Sequence, residues 1–191
     1  MEVNSGKIIA VAAPSGTGKT TIVKEVLKDF PELIFSISAT TRSKRQEETN
    51  GKEYFFITEN EFEEKIRNQE FVEWERVYDY YYGTYKKFLE DNIKLGKSVL
   101  LEIDVKGALK VQSIYPYSRL IFIYPPSLSE LVTRLRNRKT ESEEDFKKRI
   151  ERAKMELSLK DKFDYFVENK DLKKAILETK SIINNIIKEN D

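Results

Sequence analysis

Short, fully apolar runs alternate along this chain with stretches in which an apolar residue recurs every third or fourth position. Residues 7–12 (KIIAVA) form a continuous run rich in Ile, Val and Ala, the pattern of a parallel strand buried on both faces. Residues 20–28 carry Ile22, Val23, Val26 and Leu27 at helical spacing, and Pro31 ends that helix. A second short strand is predicted over 33–38. Residues 40–53 are polar and contain Arg42, Arg45 and the turn pair Asn50 and Gly51. KEYFFIT (52–58) reads as a strand. The helix that follows has Thr58 as cap and Glu61 three residues on. FVEWERVYDYYYGTY (71–85) has β character interrupted near Asp79, and a helix over 86–95 stops at Gly96.

Further on, SVLLEID (98–104), RLIFIYPP (119–126) and DYFVEN (164–169) read as strands. Helices are predicted over 107–114, 128–136, 143–159 and 172–187, with the charged segment RNRKTES between the second and third. Strands alternate with helices at both ends of the chain, which predicts an α/β fold with a parallel sheet flanked by helices. The stretch from about 36 to 88 breaks the alternation and reads as an insert with its own small sheet.

Composition narrows the chemistry. The 191 residues suit one globular domain. Lys and Arg number 34 against 33 Asp and Glu, so no bulk charge argues for a nucleic-acid or membrane partner, and an anion must be held by local charge. Cysteine and histidine are both absent, which removes disulfides, thiolate metal sites, His-ligated zinc and any His-based proton relay. No apolar run reaches the roughly 20 residues of a membrane span. MEVNSGK lacks an apolar signal core, so the expected location is the cytoplasm.

The segment Ala13, Pro14, Ser15, Gly16, Thr17, Gly18, Lys19, Thr20 and Thr21 leaves the first strand and opens a helix. That is the context of a phosphate loop, as in P-loop NTPases, although Ala13 stands where the pattern usually has glycine. Glycines let backbone N–H groups curl around phosphate, and the helix start adds its dipole. Lys19 would reach the β- and γ-phosphates, and Thr20 would bind Mg²⁺. Arg42 and Arg45, with Ser38 and Tyr54 nearby, suit a second phosphate group; alone, they equally suit a solvated polar loop. Glu102 and Asp104 end a buried strand. There they could orient Mg²⁺ waters, or cap a helix or form an ion pair.

Four segments together resemble guanylate kinases: FSISATTRSKRQEETNGKEYFF, EFVEWERVYDYYYGTY, LLEIDVKGA and PPSLSELVTRLRNRKTESEEDFKKRI. The resemblance runs in order over about 7–177. It implies a nucleotide core (1–36, 89–126 and 160–191), a GMP-binding insert with a small mixed sheet (37–88) and a helical lid (127–159). The implied reaction transfers the ATP γ-phosphoryl group to GMP, and to dGMP. Arg42, Arg45, Tyr54 and Tyr82 would hold the GMP phosphate, and Glu73 would read the guanine edge. Without the resemblance, Glu73 reads as an exposed strand carboxylate beside Trp74. Ser38 and Thr84 would supply hydroxyls around the base, Gly83 would let a loop pass close to the nucleotide, and Glu102 and Asp104 would lie near GMP or the metal waters. Arg138 and Arg149 would reach the phosphates in transfer with help from Arg134, and Asn169 would lie near the adenine. Asn137 and Lys139 stand where the family commonly has glycine, which stiffens the lid backbone.

Two other classes remain open. Guanylate-kinase-like scaffold modules keep the fold but typically lose the phosphate loop, which is retained here. A related P-loop kinase with another acceptor is opposed by the Glu73 and Tyr82 segments. ENKDL (168–172) lacks the spacing of a guanine-reading GTPase segment.

Overall fold

A computed structural model describes residues 6–137 and 143–189 of the chain. The first apolar run is strand β1 (Ile8–Ala12), buried throughout, and the glycine loop leads from it into α1 (Lys19–Asp29). Next come β2 (Ile34–Ser36), β3 (Ala39–Thr40), β4 (Phe55–Phe56) and α2 (Glu59–Arg67). The hairpin β5 (Phe71–Val77) and β6 (Tyr80–Tyr85) runs directly into α3 (Lys86–Lys94). Then β7 (Val99–Ile103), α4 (Val105–Ile114), β8 (Arg119–Tyr124) and α5 (Leu128–Arg136) alternate. The chain closes with α6 (Glu143–Ser158), β9 (Tyr165–Glu168) and α7 (Leu172–Lys188).

Five strands form a parallel sheet in the order β2-β7-β1-β8-β9. Alternate residues of β1 serve opposite faces. Ile8, Ala10 and Ala12 pack with Leu101, Phe122 and the α4 residues Ala108 and Val111. Ile9 and Val11 pack under Ile22, Val23 and Val26 of α1 and Ala175, Ile183 and Ile186 of α7. With helices on both faces the central strands β1, β7 and β8 are buried almost throughout, which is why these runs are apolar without alternation. Because all five strands point the same way, the loop after β1 and the acids ending β7 meet at one edge of the sheet. Ligands bind at that carboxyl edge in such folds.

The insert has its own four-stranded mixed sheet, β4-β3-β6-β5, with β3 and β4 parallel and the other pairs antiparallel. Phe62 of α2 stacks on Phe71 and Tyr81, at centroid distances of 4.5 and 5.2 Å, to form a small separate core. The expected capping box is present: Thr58 Oγ1 accepts from the Glu61 N–H and Glu61 Oε2 from the Thr58 N–H. Two expectations change. The strand predicted over 33–38 shortens to β2 in the large sheet, and the chain then crosses to β3 in the small one. KEYFFIT contributes only Phe55–Phe56, because local bonds replace the ladder: Gly51 N donates to Tyr54 O and Phe56 N to Asn50 Oδ1.

Candidate active site

The loop between β1 and α1 turns through Gly16 and Gly18, each at φ +88°, a left-handed conformation open to glycine without strain. Thr17 Oγ1 donates to Pro14 O at 2.7 Å, bracing the loop internally. Asn169, buried after β9, donates its amide Nδ2 to Thr17 O at 2.6 Å. The resemblance implied a place for Asn169 near the adenine; its amide nitrogen is committed to the loop backbone. Arg134 of α5 donates to Asn169 O at 3.0 Å and to Glu130 Oε1 at 3.0 Å, so it supports the same brace.

Lys19 opens α1 and donates Nζ to the carbonyl of Ile103, the last residue of β7. Thr20 Oγ1 donates to Glu102 Oε1. The pairing of Ala12 with Ile103 across β1 and β7 sets these contacts, since both chains leave the sheet side by side. Asp104 caps α4, with Oδ1 accepting from Gly107 N at 2.6 Å. It also accepts an ion-pair hydrogen bond from Arg152, so both alternatives to a nucleotide role are realised.

A β-bulge between Phe71 and Glu73 shapes the opposite wall. Residues two apart on a regular strand share a face. The extra residue breaks that rule, so Phe71 joins Phe62 and Tyr85 in the small core while Glu73 turns into the cavity. Glu73 is only 7% exposed, not the solvated carboxylate that the local sequence suggests. Thr84, fully buried, donates Oγ1 to Glu73 Oε1, so this hydroxyl orients the carboxylate. Burial pushes Glu73 up to about 7; the Thr84 bond opposes this, while Asp104 and Glu75 add to it. Gly83 lies mid-strand in β6, not in a loop as expected. A Cβ there would meet Phe62 Cζ at 2.9 Å and Phe71 Cδ1 at 3.0 Å, so packing within the insert requires the glycine.

The cavity between these walls measures about 320 Å³. Residues 13–21, Ser38, Tyr54, Glu73, Tyr82, Gly83, Glu102 and Asp104 line it together. A groove of about 700 Å³ adjoins it, shares Thr20, Ser38, Tyr54, Tyr82 and Glu102, and adds Arg42 and Arg45. Arg42 lies over Tyr54 and Phe56, 5.5 and 5.6 Å from their centroids, and its fork grips Glu48. That hydrogen bond, against burial, raises Arg42 and correspondingly lowers Glu48. Burial pushes the Tyr54 hydroxyl up to about 12, leaving it a neutral donor. Arg149 does not line the cavity; it lies 5.4 Å from the Tyr78 ring centroid at the β5–β6 turn. Arg138 falls outside the described residues.

The cavity-lining cluster of Arg152, Glu75 and Glu156 escapes the sequence reading. Arg152 donates to Glu75 Oε2 and Asp104 Oδ2 at 3.0 Å each and to Glu156 Oε1 at 2.8 Å, linking α6, β5 and the start of α4. Only its i,i+4 spacing to Glu156 is visible in sequence; Glu75 and Asp104 are brought in by the fold. Burial raises Glu75 to about 7, helped by a hydrogen bond with Asp104. Burial also disfavours the Asp104 charge. Hydrogen bonds from Glu75 and Gly107 and the Arg152 charge outweigh that and hold Asp104 below its usual value. Among the described residues, no group of three or more His, Cys, Asp or Glu is placed to hold a metal, and no helix is long and apolar enough to cross a membrane.

Comparison with known proteins agrees with this geometry. The guanylate kinase family profile matches residues 5–186. The chain is 47% identical over 178 residues to the guanylate kinase of Thermotoga maritima, covering 93% of this chain and 86% of that protein. It is 48% identical over 182 residues to that of Mycoplasma genitalium, covering 94% and 76%. The crystal structure of guanylate kinase from Anaplasma phagocytophilum superposes with a TM-score of 0.81 at 30% identity, covering 97% of this chain and 88% of that one. Agreement of this extent, in sequence and in backbone alike, means that the chain belongs to the guanylate kinase family.

Proposed function

We propose that the cavity and its adjoining groove are where the γ-phosphoryl group of ATP passes to GMP, giving ADP and GDP, with dGMP as a second acceptor. The observation that carries this reading is the pairing across one cavity of a phosphate loop with a buried, Thr84-oriented carboxylate, Glu73.

Backbone N–H groups of the loop would cradle the ATP phosphates, with Lys19 swinging from Ile103 O to the group in transfer. Arg42, Arg45, Tyr54 and Tyr82 would hold the acceptor phosphate. Arg138 and Arg149 would approach the ATP side as α5 and α6 close, and Arg134 and Asn169 keep the loop in shape. The acceptor oxygen is already ionised at neutral pH, so no general base is needed, in keeping with a chain that has no histidine. What remains is alignment and neutralisation of charge.

The donors also suit Mg²⁺. The Thr20 proton is committed to Glu102, which leaves the hydroxyl lone pairs free to face a cation. A single hydroxyl with phosphate oxygens and waters is a usual set for this ion. Bound there, Mg²⁺ would supply charge to the phosphate oxygens. Residues 37–88 and 127–159 would close as units on a core of 1–36, 89–126 and 160–191, excluding water that would otherwise hydrolyse ATP. A reaction that draws on free nucleotides supports a cytoplasmic location.

The test is an acceptor panel of GMP, dGMP, AMP, UMP and IMP with ATP and Mg²⁺, read as ADP formed. GMP should give the highest kcat/KM; a higher value for AMP or UMP would overturn the reading.

A further inference from the structure

Gly107 is the third residue of α4, is buried, and has no positive φ. Alanine is the better residue for a helix interior, so the backbone gives no reason for glycine here. The surroundings do. A methyl group on Gly107 would lie 2.8 Å from Glu73 Oε2 and 3.2 Å from Glu73 Cδ, and 3.1 Å from Asp104 Oδ1. Atoms cannot sit at the first of these distances, so something must move. The nearest atom is the far end of a flexible side chain, which makes the move small in energy. It is also the group proposed to read guanine.

We infer that Gly107 is a specificity-determining residue: its bare Cα provides the space in which the Glu73 carboxylate stands, and so sets where the base edge is read. This rests on the assignment of Glu73 as the guanine reader. Thr84 fixes one carboxylate oxygen from β6 and Gly107 leaves room for the other from α4, so two elements define one position. The Gly107 N–H donates to Asp104 Oδ1, so the residue that makes room also holds the neighbouring acid by its backbone. A side chain at 107 would push Glu73 several tenths of an ångström out of place while leaving the phosphate loop untouched. Misplacement by a full ångström costs on the order of 10²-fold in rate, so a shift of several tenths costs about tenfold.

Four proteins test this: the unaltered chain, Gly107→Ala, Glu73→Ala and the double variant. The measurements are kcat/KM for GMP and AMP, KM for ATP, and Tm. In Gly107→Ala, kcat/KM for GMP should fall by about tenfold, mainly through the GMP KM, and the preference over AMP should narrow. The ATP KM should stay within about twofold, and Tm should not fall. In the Glu73→Ala background the carboxylate is gone, so adding Gly107→Ala should change kcat/KM for GMP by less than about twofold. Unchanged GMP kinetics in Gly107→Ala, beside a large loss in Glu73→Ala, would overturn the role of Gly107 and leave the base reader standing. An equal loss in both backgrounds, or a Tm lowered by more than about 5 °C, would show that position 107 acts through the helix and not through Glu73. Full GMP preference in Glu73→Ala would remove the base reader itself, and the inference with it.

Discussion

Glu48 holds both terminal nitrogens of Arg42, with Nη1 donating to Oε2 at 2.9 Å and Nη2 to Oε1 at 2.7 Å, while the Arg45 N–H donates to the same carboxylate at 2.8 Å. A fork-to-fork pair of this kind fixes the plane of the guanidinium as well as its place. Glu48 therefore orders the segment that carries both proposed phosphate-binding arginines.

Replacing Glu48 by Ala should release Arg42 and loosen residues 42–45. The expected outcome is a GMP KM raised by about tenfold with a smaller change in kcat, since charge remains and only its placement is lost. Steady-state kinetics with GMP varied at saturating ATP would check this. An unchanged KM would mean that Arg42 is held in place by its aromatic neighbours and its hydrogen bond to Ser43 O.

Lys19→Ala should keep its fold, because the lost contact is one hydrogen bond to Ile103 O. Turnover should fall by ~10²–10³-fold, the usual cost of removing a charge aimed at a transferring group. Circular dichroism and coupled ADP release would report the two halves of this statement. Near-normal turnover in a folded variant would refute the role.

As the proposed guanine reader, Glu73 should make the reaction and the stability respond to pH in opposite directions. Its value of about 7 in the folded chain lies above the ordinary 4.5. Between those values the folded chain binds the proton more tightly than the unfolded one. Its contribution to stability is therefore full below 4.5 and is lost as pH rises towards 7. Glu75, also raised to about 7, adds to the same trend. Guanine presents N–H donors and needs the ionised form, so the GMP KM should rise by up to about tenfold per pH unit below 7. Glu73→Gln should flatten the GMP KM profile and make the stability profile shallower, with Glu75 still titrating. Tm and GMP KM measured from pH 5 to 8 would decide, with a Glu73→Gln variant as steep as the original counting against this account.

Arg152→Ala would leave Glu75, Asp104 and Glu156 around a missing cation, in a site where the arginine side chain is only 17% exposed. Removing one partner from such a cluster costs about 3 kcal/mol. For a chain of this length Tm should fall by about 6–12 °C. A thermal melt near pH 8 shows the effect at its largest, where the carboxylates are ionised.

The two arginine-bearing sides of the site should draw together when phosphates lie between them. Small-angle scattering should show compaction with GMP and a non-hydrolysable ATP analogue present together, and less with either alone. No change in the radius of gyration would argue against closure.

The large sheet was readable because strands buried on both faces leave continuous apolar runs, and the loop was readable because phosphate binding demands glycines and a lysine at fixed spacing. The α2 start was readable at Thr58 and Glu61 for a similarly local reason. What sequence could not convey depends on partners far along the chain. The bulge that turns Glu73 inward leaves no mark in EFVEW, since Phe71, Val72 and Glu73 would suit either register. Arg152 reads as one more charge on a solvated helix until β5 and Asp104 meet it. The resemblance puts Gly83 in a loop beside the nucleotide, while the aromatic neighbours that require a glycine in β6, Phe62 and Phe71, come from separate elements.

The hydrogen bond from Asn169 to Thr17 O spans 152 positions of sequence. During synthesis the phosphate loop leaves the ribosome 152 residues before the side chain that braces it. β1, at the centre of the sheet, likewise waits for both of its neighbours, β7 and β8, before it is covered. A nascent chain therefore carries the sequence of a nucleotide site long before it can hold that site in shape. Competence to bind ATP should appear only after Asn169 has emerged.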